Sequence, residues 1–224
     1  DGDKLVRNSL SFNGGTSFGK LTVNTGVIFS VKDLDAVATG QGDDAGAGKV
    51  IWQEIIQVPR DHSIVDYADY KNKFYNVDNF HTLYAQNPYF ILNETGNNYN
   101  ENKTIGNIGL EYELLKGLKA KWNVGGDFAN GSIFEYGNVS KITAGAPNDP
   151  ANDVVGKVAE ATITNRQINS DLTLAYKFDL TEDLDLDLLV GQNANETTFK
   201  SFSTEITNLS IPGYYNLSNT TTQP

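Results

Sequence analysis

The chain has 224 residues, a formal net charge of −11 and a pI near 4.5, and it contains neither Cys nor Met. The lack of Cys excludes disulfide bonds, thiol nucleophiles and thiolate metal sites, and the acidic charge argues against a nucleic-acid-binding protein. No apolar run approaches the ~20 residues of a membrane-spanning helix, which excludes helical spans only, because membrane strands are apolar at alternate positions. With no Met and no signal-like start, we expect a processed product or an internal piece of a larger protein.

The first predicted element is a β-hairpin. In "LTVNTGVIFSVK", residues 21–32, apolar side chains stand at almost every second position, so one face of a strand would be apolar and the other mostly polar. The preceding "NSLSFNG" supplies the partner strand across the connection "GTSFGK". A strand of this length exceeds the about five or six residues usual in soluble proteins and matches the ~9–11 residues that cross a bilayer.

Residues 33–100 are predicted to form a long polar excursion with two short helices. "VIWQEIIQV", residues 50–58, fits about two helical turns that Pro59 ends. "SIVDYADYKNK", residues 63–73, fits a second helix with Ser63 as N-cap and Asp66 in place of the usual Glu of a capping box. "QGDDAGAG" lacks the spacing of a calcium-binding loop, and the His of "PRDHS" is interpreted as a solvated loop residue.

Two more hairpins follow along the chain. Residues 103–114 and 118–128 are joined by the tight "LKG", and residues 166–178 turn through "DLTED" into "LDLDLLVGQN". Their apolar rows are Ile108, Leu110 and Tyr112; Leu118, Ala120, Trp122 and Val124; Ile168, Leu172, Leu174, Tyr176 and Phe178; and Leu184, Leu186, Leu188 and Val190. Between the hairpins, residues 129–164 are predicted to be a second long excursion, because "TAGAPNDPANDVVGK" is rich in Gly, Pro and Asn.

This organisation favours a membrane barrel over a soluble sandwich. Short turns at one end of the strands and long loops at the other are typical of outer-membrane barrels, whereas a sandwich usually keeps both ends short. A secreted soluble β-sandwich that binds glycan remains the alternative. The two differ in environment: a sandwich would bury the apolar rows against each other, and a barrel would expose them as a band, with Trp122 in an aromatic girdle or against lipid.

A family resemblance then appears in "YAQNPYFILNETGNNYNENKTIGNIGLEYELLKGLKAKWNVGGDF", residues 84–128. It resembles the SusC/RagA family of TonB-dependent outer-membrane transporters, which commonly has an "NPYW-ILNE" stretch, a "GN-x-x-L-x-Y" strand and a returning strand. The matching positions are Asn87, Pro88, Tyr89, Ile91, Leu92, Asn93, Glu94, Gly106, Asn107, Leu110, Tyr112, Leu118 and Asp127. Phe90 stands where the family usually has Trp. "INSDLTLAYKFDLTEDLDLDLLVGQN", "LSIPGYYNLSN" and "LSFNGGTSFGKLTVNTGVIFS" are similar to further family segments, in family order.

The resemblance implies an all-β fold, an antiparallel transmembrane β-barrel with long extracellular loops. Residues 1–224 would supply the N-terminal part of the barrel domain, about eight early strands of the ~22 that surround a plug, with the plug and the TonB box outside this chain. It also implies a part of a Bacteroidetes-type outer-membrane transporter that imports oligosaccharides or peptides. The implied partners are a SusD-like lipoprotein, TonB, the remainder of the transporter chain and outer-membrane lipid, with no cofactor.

Candidate substrate-binding residues lie in the Asn- and Tyr-rich stretch of residues 67–100. Tyrosine rings can stack on sugars or hold peptides, and Asn side chains offer donors and acceptors. The candidates are Tyr67, Tyr70, Tyr75, Asn79, Tyr84, Asn87, Tyr89 and Asn93. For any single Tyr, the favoured interpretation is instead that it belongs to an interfacial girdle or packs the excursion together.

No catalytic or metal site is expected. Asp185 and Asp187 share a strand face about 7 Å apart, within the range of an inverting glycosidase pair, so a glycosidase is a third alternative. Charged rows commonly line barrel lumens, however, and we interpret these residues in that way. His62 and His81 are too far apart in sequence to suggest local metal-ligand spacing.

Overall fold

The computed structural model describes residues 3–37, 43–44, 48–49, 51–72, 74–80, 86–146 and 154–222. The strands are β1 (Lys4–Phe18), β2 (Leu21–Ala36), β3 (Asp43–Asp44), β4 (Gly48–Lys49), β5 (Thr95–Leu115), β6 (Leu118–Ser140), β7 (Val154–Thr181) and β8 (Leu184–Thr207). Six of them form one antiparallel sheet in the order β1-β2-β5-β6-β7-β8, and β3 pairs with β4 alone. Since each long strand pairs with the next one along the chain, the sheet is a meander.

Among the residues that the structure describes, helical structure is found in the excursion between β2 and β5. Helix α1 (Ile51–Gln57) confirms the first predicted helix, and α2 (Pro88–Glu94) was not predicted. The second predicted helix is wrong beyond one 3-10 turn, Ile64–Tyr67, because the side chain of Ser63 makes no capping hydrogen bond there. None of the helices in the described ranges is both long enough and apolar enough to span a membrane.

Tight turns close one end of the sheet. Residues 19–20, 116–117 and 182–183 are the whole connections between β1 and β2, β5 and β6, and β7 and β8. The first connection is therefore shorter than the predicted "GTSFGK", most of which continues β1. Gly117 has a φ of 81°, and a Cβ built on it would overlap the carbonyl oxygen of Lys177, so only glycine fits that turn.

The strands are longer than predicted, and the second excursion is correspondingly shorter. β6 and β7 have 23 and 28 residues, where the alternation predicted about eleven to thirteen. The excursion predicted at residues 129–164 is wrong for most of its length, because pairing between β6 and β7 continues to Ser140 and Val154. Backbone hydrogen bonds continue after the apolar alternation stops, since a ladder does not depend on side-chain polarity. The described ranges therefore hold six long strands, where about eight were expected.

The apolar rows are exposed, and the sandwich alternative is wrong. Phe12, Trp122 and Val190, on β1, β6 and β8, are 63%, 47% and 71% exposed. They belong to one face of a single sheet, and in the part of the chain that the structure describes no second large sheet covers it. We name this surface the apolar band: Leu10, Phe12, Phe18, Leu21, Val23, Val27, Phe29, Val31, Ile108, Leu110, Tyr112, Leu118, Trp122, Val124, Phe128, Ile168, Leu172, Leu174, Tyr176, Phe178, Leu184, Leu186, Leu188 and Val190.

The apolar band runs diagonally across the rows of directly opposed residues in the sheet. On β2 it reaches Val31, whose row continues through Asn102, Asn130 and Thr164 to Lys200 on β8. On β8 the band already ends at Val190, ten residues before Lys200. A slope of this kind is expected where strands tilt by about 35–45° relative to a membrane normal, because a level band then crosses successive rows.

The buried apolar residues lie at the end of the sheet away from the tight turns. Val158, Ile206 and Leu209 form one cluster, against which Tyr136 and Tyr215 pack. The helical excursion contributes the buried Ile51, Phe80, Phe90 and Ile91. The molecule therefore has its interior at the loop end, beyond the apolar band.

Candidate functional site

Asn87 organises the excursion that carries the predicted binding residues. Its side-chain oxygen accepts a hydrogen bond from the Tyr89 N–H at 2.9 Å and caps α2, with Pro88 at the first helical position. Its Nδ2 donates to the carbonyl oxygens of Tyr67 at 2.9 Å and Tyr75 at 3.2 Å. Asn87 is fully buried, so these three bonds join the helix to two preceding segments.

Tyr67 is the centre of an aromatic cluster beside Asn87. Its ring lies 5.2 Å from Phe80 and 5.8 Å from Tyr75, both edge to face, and 5.3 Å from His62. Such pairs add to the stability gained from burial alone. The expectation that His62 is a solvated loop residue is wrong, because the ring is partly buried against Tyr67 and Phe80.

Glu94, the last residue of α2, links three parts of the chain. Its Oε1 accepts a hydrogen bond from the Tyr70 hydroxyl at 2.7 Å and lies 3.2 Å from Lys71 Nζ. Its Oε2 accepts from Asn138 Nδ2, on β6, at 2.7 Å. The Asn138 side-chain oxygen accepts in turn from the Gly213 N–H at 2.8 Å. We call this set of groups the Glu94 hub.

Charge and burial act on the Glu94 hub in opposite directions. Burial disfavours ionisation of Glu94, but the hydrogen bonds from Tyr70, Asn138 and Lys71 outweigh it and lower the pKa of that carboxyl. Burial and the neighbouring Glu94 carboxylate raise the pKa of Tyr70. The hub is therefore a carboxylate that accepts from a neutral phenol, which holds the excursion against β6.

The segment after β8 folds back onto the same region. Asn219 is buried, donates to the carbonyl oxygens of Ile211 at 2.8 Å and Tyr214 at 2.6 Å, and accepts from the Ile211 N–H at 2.9 Å. It thereby closes the loop "IPGYYNLSN". Tyr215 in this loop lies 4.2 Å from the ring of Tyr136 on β6, and burial together with the charge of Glu94 raises its pKa.

The structure therefore brings Tyr67, Tyr75 and Asn87 together and places Tyr70 beside them through Phe90 and Glu94. Tyr89 and Asn79 are partly buried, and Asn93 is exposed at the surface of α2. The roles of all these residues in binding substrate stay predictions, and Tyr84 and His81 lie outside the described residues. Glu94 was noticed only as part of the motif "NPYFILNE", and the partners Asn138 and Tyr215 had no sequence signal of their own.

The polar face of the sheet carries a regular lattice of Asn and Gly residues that includes one Asp. One row of directly opposed residues across the strands is Gly15, Asn24, Gly109, Asn123, Asp171 and Asn193, and the next row on this face is Asn13, Gly26, Asn107, Gly125, Asn169 and Asn195. A Cβ on Gly26 would lie 2.7 Å from Asn13 Oδ1 and 2.9 Å from Asn107 Oδ1. The amide side chains of Asn13, Asn24, Asn107 and Asn123 thus lie across neighbouring glycines, where a side chain would collide with them. We name this polar surface the amide lattice.

Charged groups flank the amide lattice on the same face. Towards the turns, Glu111 lies 2.7 Å from Lys119 and 3.1 Å from Lys121. Asp187, one of the two carboxylates considered for catalysis, lies 3.0 Å from Lys177. Towards the loops, Lys103 pairs with Asp127 at 2.8 Å, and the buried Lys157 lies between Glu135 and Glu205. Within the described ranges no group of three or more acidic or His residues is placed to hold a metal ion.

Known structures show the same fold. A structure of the RagAB peptide importer in the "open-open" state matches with a TM-score of 0.67 and 16% identity, and one in the "closed-closed" state with 0.65 and 17%. Each match covers 98% of this chain and 23% of the other chain, so this chain spans about a quarter of the length of those proteins. No family model matches the sequence, and neither does any curated protein.

These matches bear on fold alone, because both identities are low. They cover 98% of this chain and therefore nearly all of its meander of long strands. The predicted fold, a partial antiparallel β-barrel, is therefore confirmed by the similarity to the RagAB peptide importer structures.

Proposed function

We propose that this chain forms part of the wall of an outer-membrane transporter that imports nutrients. The observation that carries the proposal is the two-faced sheet: an exposed apolar band on one side and the amide lattice with flanking charges on the other. The apolar band fits acyl chains, and a polar face fits a hydrated lumen or a plug. Similarity to a peptide importer over 98% of the chain supports this assignment.

In this function the chain contributes shape and surface, and no chemical step is assigned to it. The segment is about equally similar to the "open-open" and "closed-closed" states of the importer, with TM-scores of 0.67 and 0.65. The continuous backbone ladders between the long strands suit a wall that keeps its form while other parts move. Energy would come from TonB acting on a plug, and a SusD-like surface lipoprotein would cover the loop end of the barrel.

Peptides are the first substrate class we propose, since the similar structures import peptides; oligosaccharides are the second, from the family resemblance. The loop end would meet the substrate first. There, Tyr75 and Asn93 present exposed surface, so they are the members of the predicted set best placed to contact it. Asn87 and Glu94 would hold the loop in shape.

The proposal can be tested with the complete protein in its native cell. We expect it in the outer-membrane fraction, co-purifying with a lipoprotein, and supporting TonB-dependent uptake of a labelled peptide mixture. Uptake of labelled oligosaccharides by the same cells decides between the two substrate classes. A protein found only in soluble fractions, or uptake of both mixtures that is unchanged when its gene is deleted, would overturn the proposal.

A further inference from the structure

Two glycines leave a cavity in the apolar band. Gly106 and Gly126 are ladder partners on β5 and β6, and Val27 and Ile168 flank them on the neighbouring strands. The cavity has a volume of about 380 Å³. A Cβ on Gly106 would meet other atoms only at 3.7 Å and beyond, so the space above it is open.

Phe128 closes one end of this cavity. A Cβ on Gly126 would lie 2.6 Å from the edge of the Phe128 ring, so the ring lies over that glycine. The remaining sides are mostly apolar, with Ile108, Val124 and the polar Thr25 towards the turns. The result is a depression with an apolar floor on the surface that the proposed function turns towards acyl chains.

A positively charged side chain, Arg166, lies beside the end of the cavity that Phe128 closes. Arg166 is the ladder partner of Phe128, lies on the same face and is exposed. It is also the first residue on β7 beyond the apolar band, two positions before Ile168, or about 7 Å along the strand. Lys200 and Glu196 lie diagonally from it on β8, and no ion pair of Arg166 is found among the residues that the structure describes.

We propose that the cavity and Arg166 bind one phosphate-bearing lipid of the surrounding membrane. An acyl chain fills the space above Gly106, beside the Phe128 ring that covers Gly126, and the lipid phosphate contacts the Arg166 guanidinium. Arginine suits this role because its planar fork of donors matches phosphate oxygens. An acyl chain in the cavity gains dispersion contacts with the cavity walls, which an unfilled depression lacks. The inference rests on the proposed function for its assumption that the apolar band faces lipid.

The test uses the complete protein in detergent micelles, with native mass spectrometry and a titration of two lipids that share the same acyl chains. We expect phosphatidylglycerol, which is anionic, to bind more tightly than zwitterionic phosphatidylcholine. Arg166→Gln should weaken phosphatidylglycerol binding about tenfold, the loss expected for one charge-assisted contact, and should remove the headgroup preference. Gly106→Leu should reduce binding of both lipids by filling the cavity.

Arg7→Gln is the matched control, because Arg7 is an exposed arginine on the opposite face of the sheet, and it should bind lipid as the unmodified protein does. Arg166→Lys, which keeps the charge, should lose less affinity than Arg166→Gln. Equal binding by Arg166→Gln and the unmodified protein, or an equal loss with Arg7→Gln, would overturn the inference. Either result is distinct from failure of the proposed function, which would appear as a protein absent from the outer membrane.

Discussion

Near the tight turns the six strands hold each other through backbone ladders and expose their apolar side chains, whereas at the loop end the chain buries an interior of its own. The turn end depends on its surroundings, because the apolar band has no cover within the described residues. The loop end is held by internal contacts: the aromatic cluster around Tyr67, the Glu94 hub and the loop closed by Asn219. The same sheet is therefore stabilised by its environment in one half and by its own side chains in the other.

This difference predicts where substitutions will be felt. Changes in the apolar band should alter insertion into a membrane and leave the loops in place. Changes in the loop end should alter local opening of the loops and leave insertion in place. Five substitutions or conditions test the division, and they are ordered here by the size of the expected effect.

The largest effect is expected for Leu172→Arg, in the middle of the apolar stretch of β7. An arginine facing lipid near the bilayer midplane costs about 2–4 kcal/mol of folding free energy in membrane barrels. Denaturant titration of the complete protein folding into vesicles measures this cost. The control is Thr173→Arg, one residue along on the polar face, which should cost far less. Equal costs at the two positions would show that the apolar band does not face lipid.

Gly117→Ala should come next, in the turn between β5 and β6. The substitution combines a φ of 81° with a Cβ that would overlap the carbonyl oxygen of Lys177, and strained backbone of this kind costs roughly 1–3 kcal/mol. Gly14→Ala is the control, because Gly14 has ordinary strand backbone and a Cβ added there would have no atom within 4 Å. The same titration should show a clear loss of folding free energy for Gly117→Ala and none for Gly14→Ala. Equal losses would mean that the turn accommodates the added Cβ without strain.

Much of the turn end could be predicted from the sequence, because alternating residues such as Leu184, Leu186 and Leu188 report directly which face each side chain takes. The strand ends towards the loops could not, since β6 between Phe128 and Ser140 keeps its ladder without a two-faced pattern. Helix α2 was hidden for a similar reason: at 7 residues it is too short for a helical period to show. Its capping Asn87 and Pro88 were visible only as part of a family motif.

The candidate site divides in the same way. The sequence predicted which Tyr and Asn residues the loop end contains, and the structure brings three of them together: Tyr67, Tyr75 and Asn87. Its centre, Glu94, takes partners from three segments separated by 24 and 44 residues, and no local pattern encodes contacts over that distance. Sequence reasoning therefore identified the region, but its organisation depends on tertiary contacts.

Glu94→Gln should weaken the loop end without altering insertion. Gln keeps the shape of the side chain but removes the carboxylate charge, which strengthens the hydrogen bond from Tyr70 and pairs with Lys71. We expect the local stability of the loop end to fall by about 1–3 kcal/mol, the cost of weakening a partly buried acceptor. Hydrogen exchange should rise in residues 64–72 and 208–222, whereas the turn-end strands should stay protected. Glu182→Gln, in the exposed turn between β7 and β8, is the control. Faster exchange throughout the sheet would contradict the division between the two ends.

Lowering the pH should weaken the contacts of the Glu94 carboxylate, with a smaller effect on hydrogen exchange than the substitution has. The folded-state pKa of Glu94 lies below its ordinary value of 4.5, so its contribution to stability is present above that pH and is lost as the pH falls through the folded-state pKa. Hydrogen exchange in residues 208–222 should therefore increase below pH 4.5, in excess of the intrinsic pH dependence of exchange. The Glu94→Gln variant should not show this excess. An equal increase in the variant would assign the acid effect to other carboxylates.

Glu111→Gln should have the smallest effect, although Glu111 lies near two lysines. Lys119 and Lys121 approach its carboxylate at 2.7 and 3.1 Å, but all three side chains have access to solvent, where ion pairs contribute little to stability and are screened by salt. The backbone ladder between β5 and β6 also holds this hairpin independently of the charges. We expect an unchanged denaturant midpoint for folding into vesicles, with Leu172→Arg as the positive control. A large shift would mean that another part of the complete protein lies against the polar face and shields the Glu111 ion pairs from water. The turn end would then also be stabilised by contacts between its own side chains.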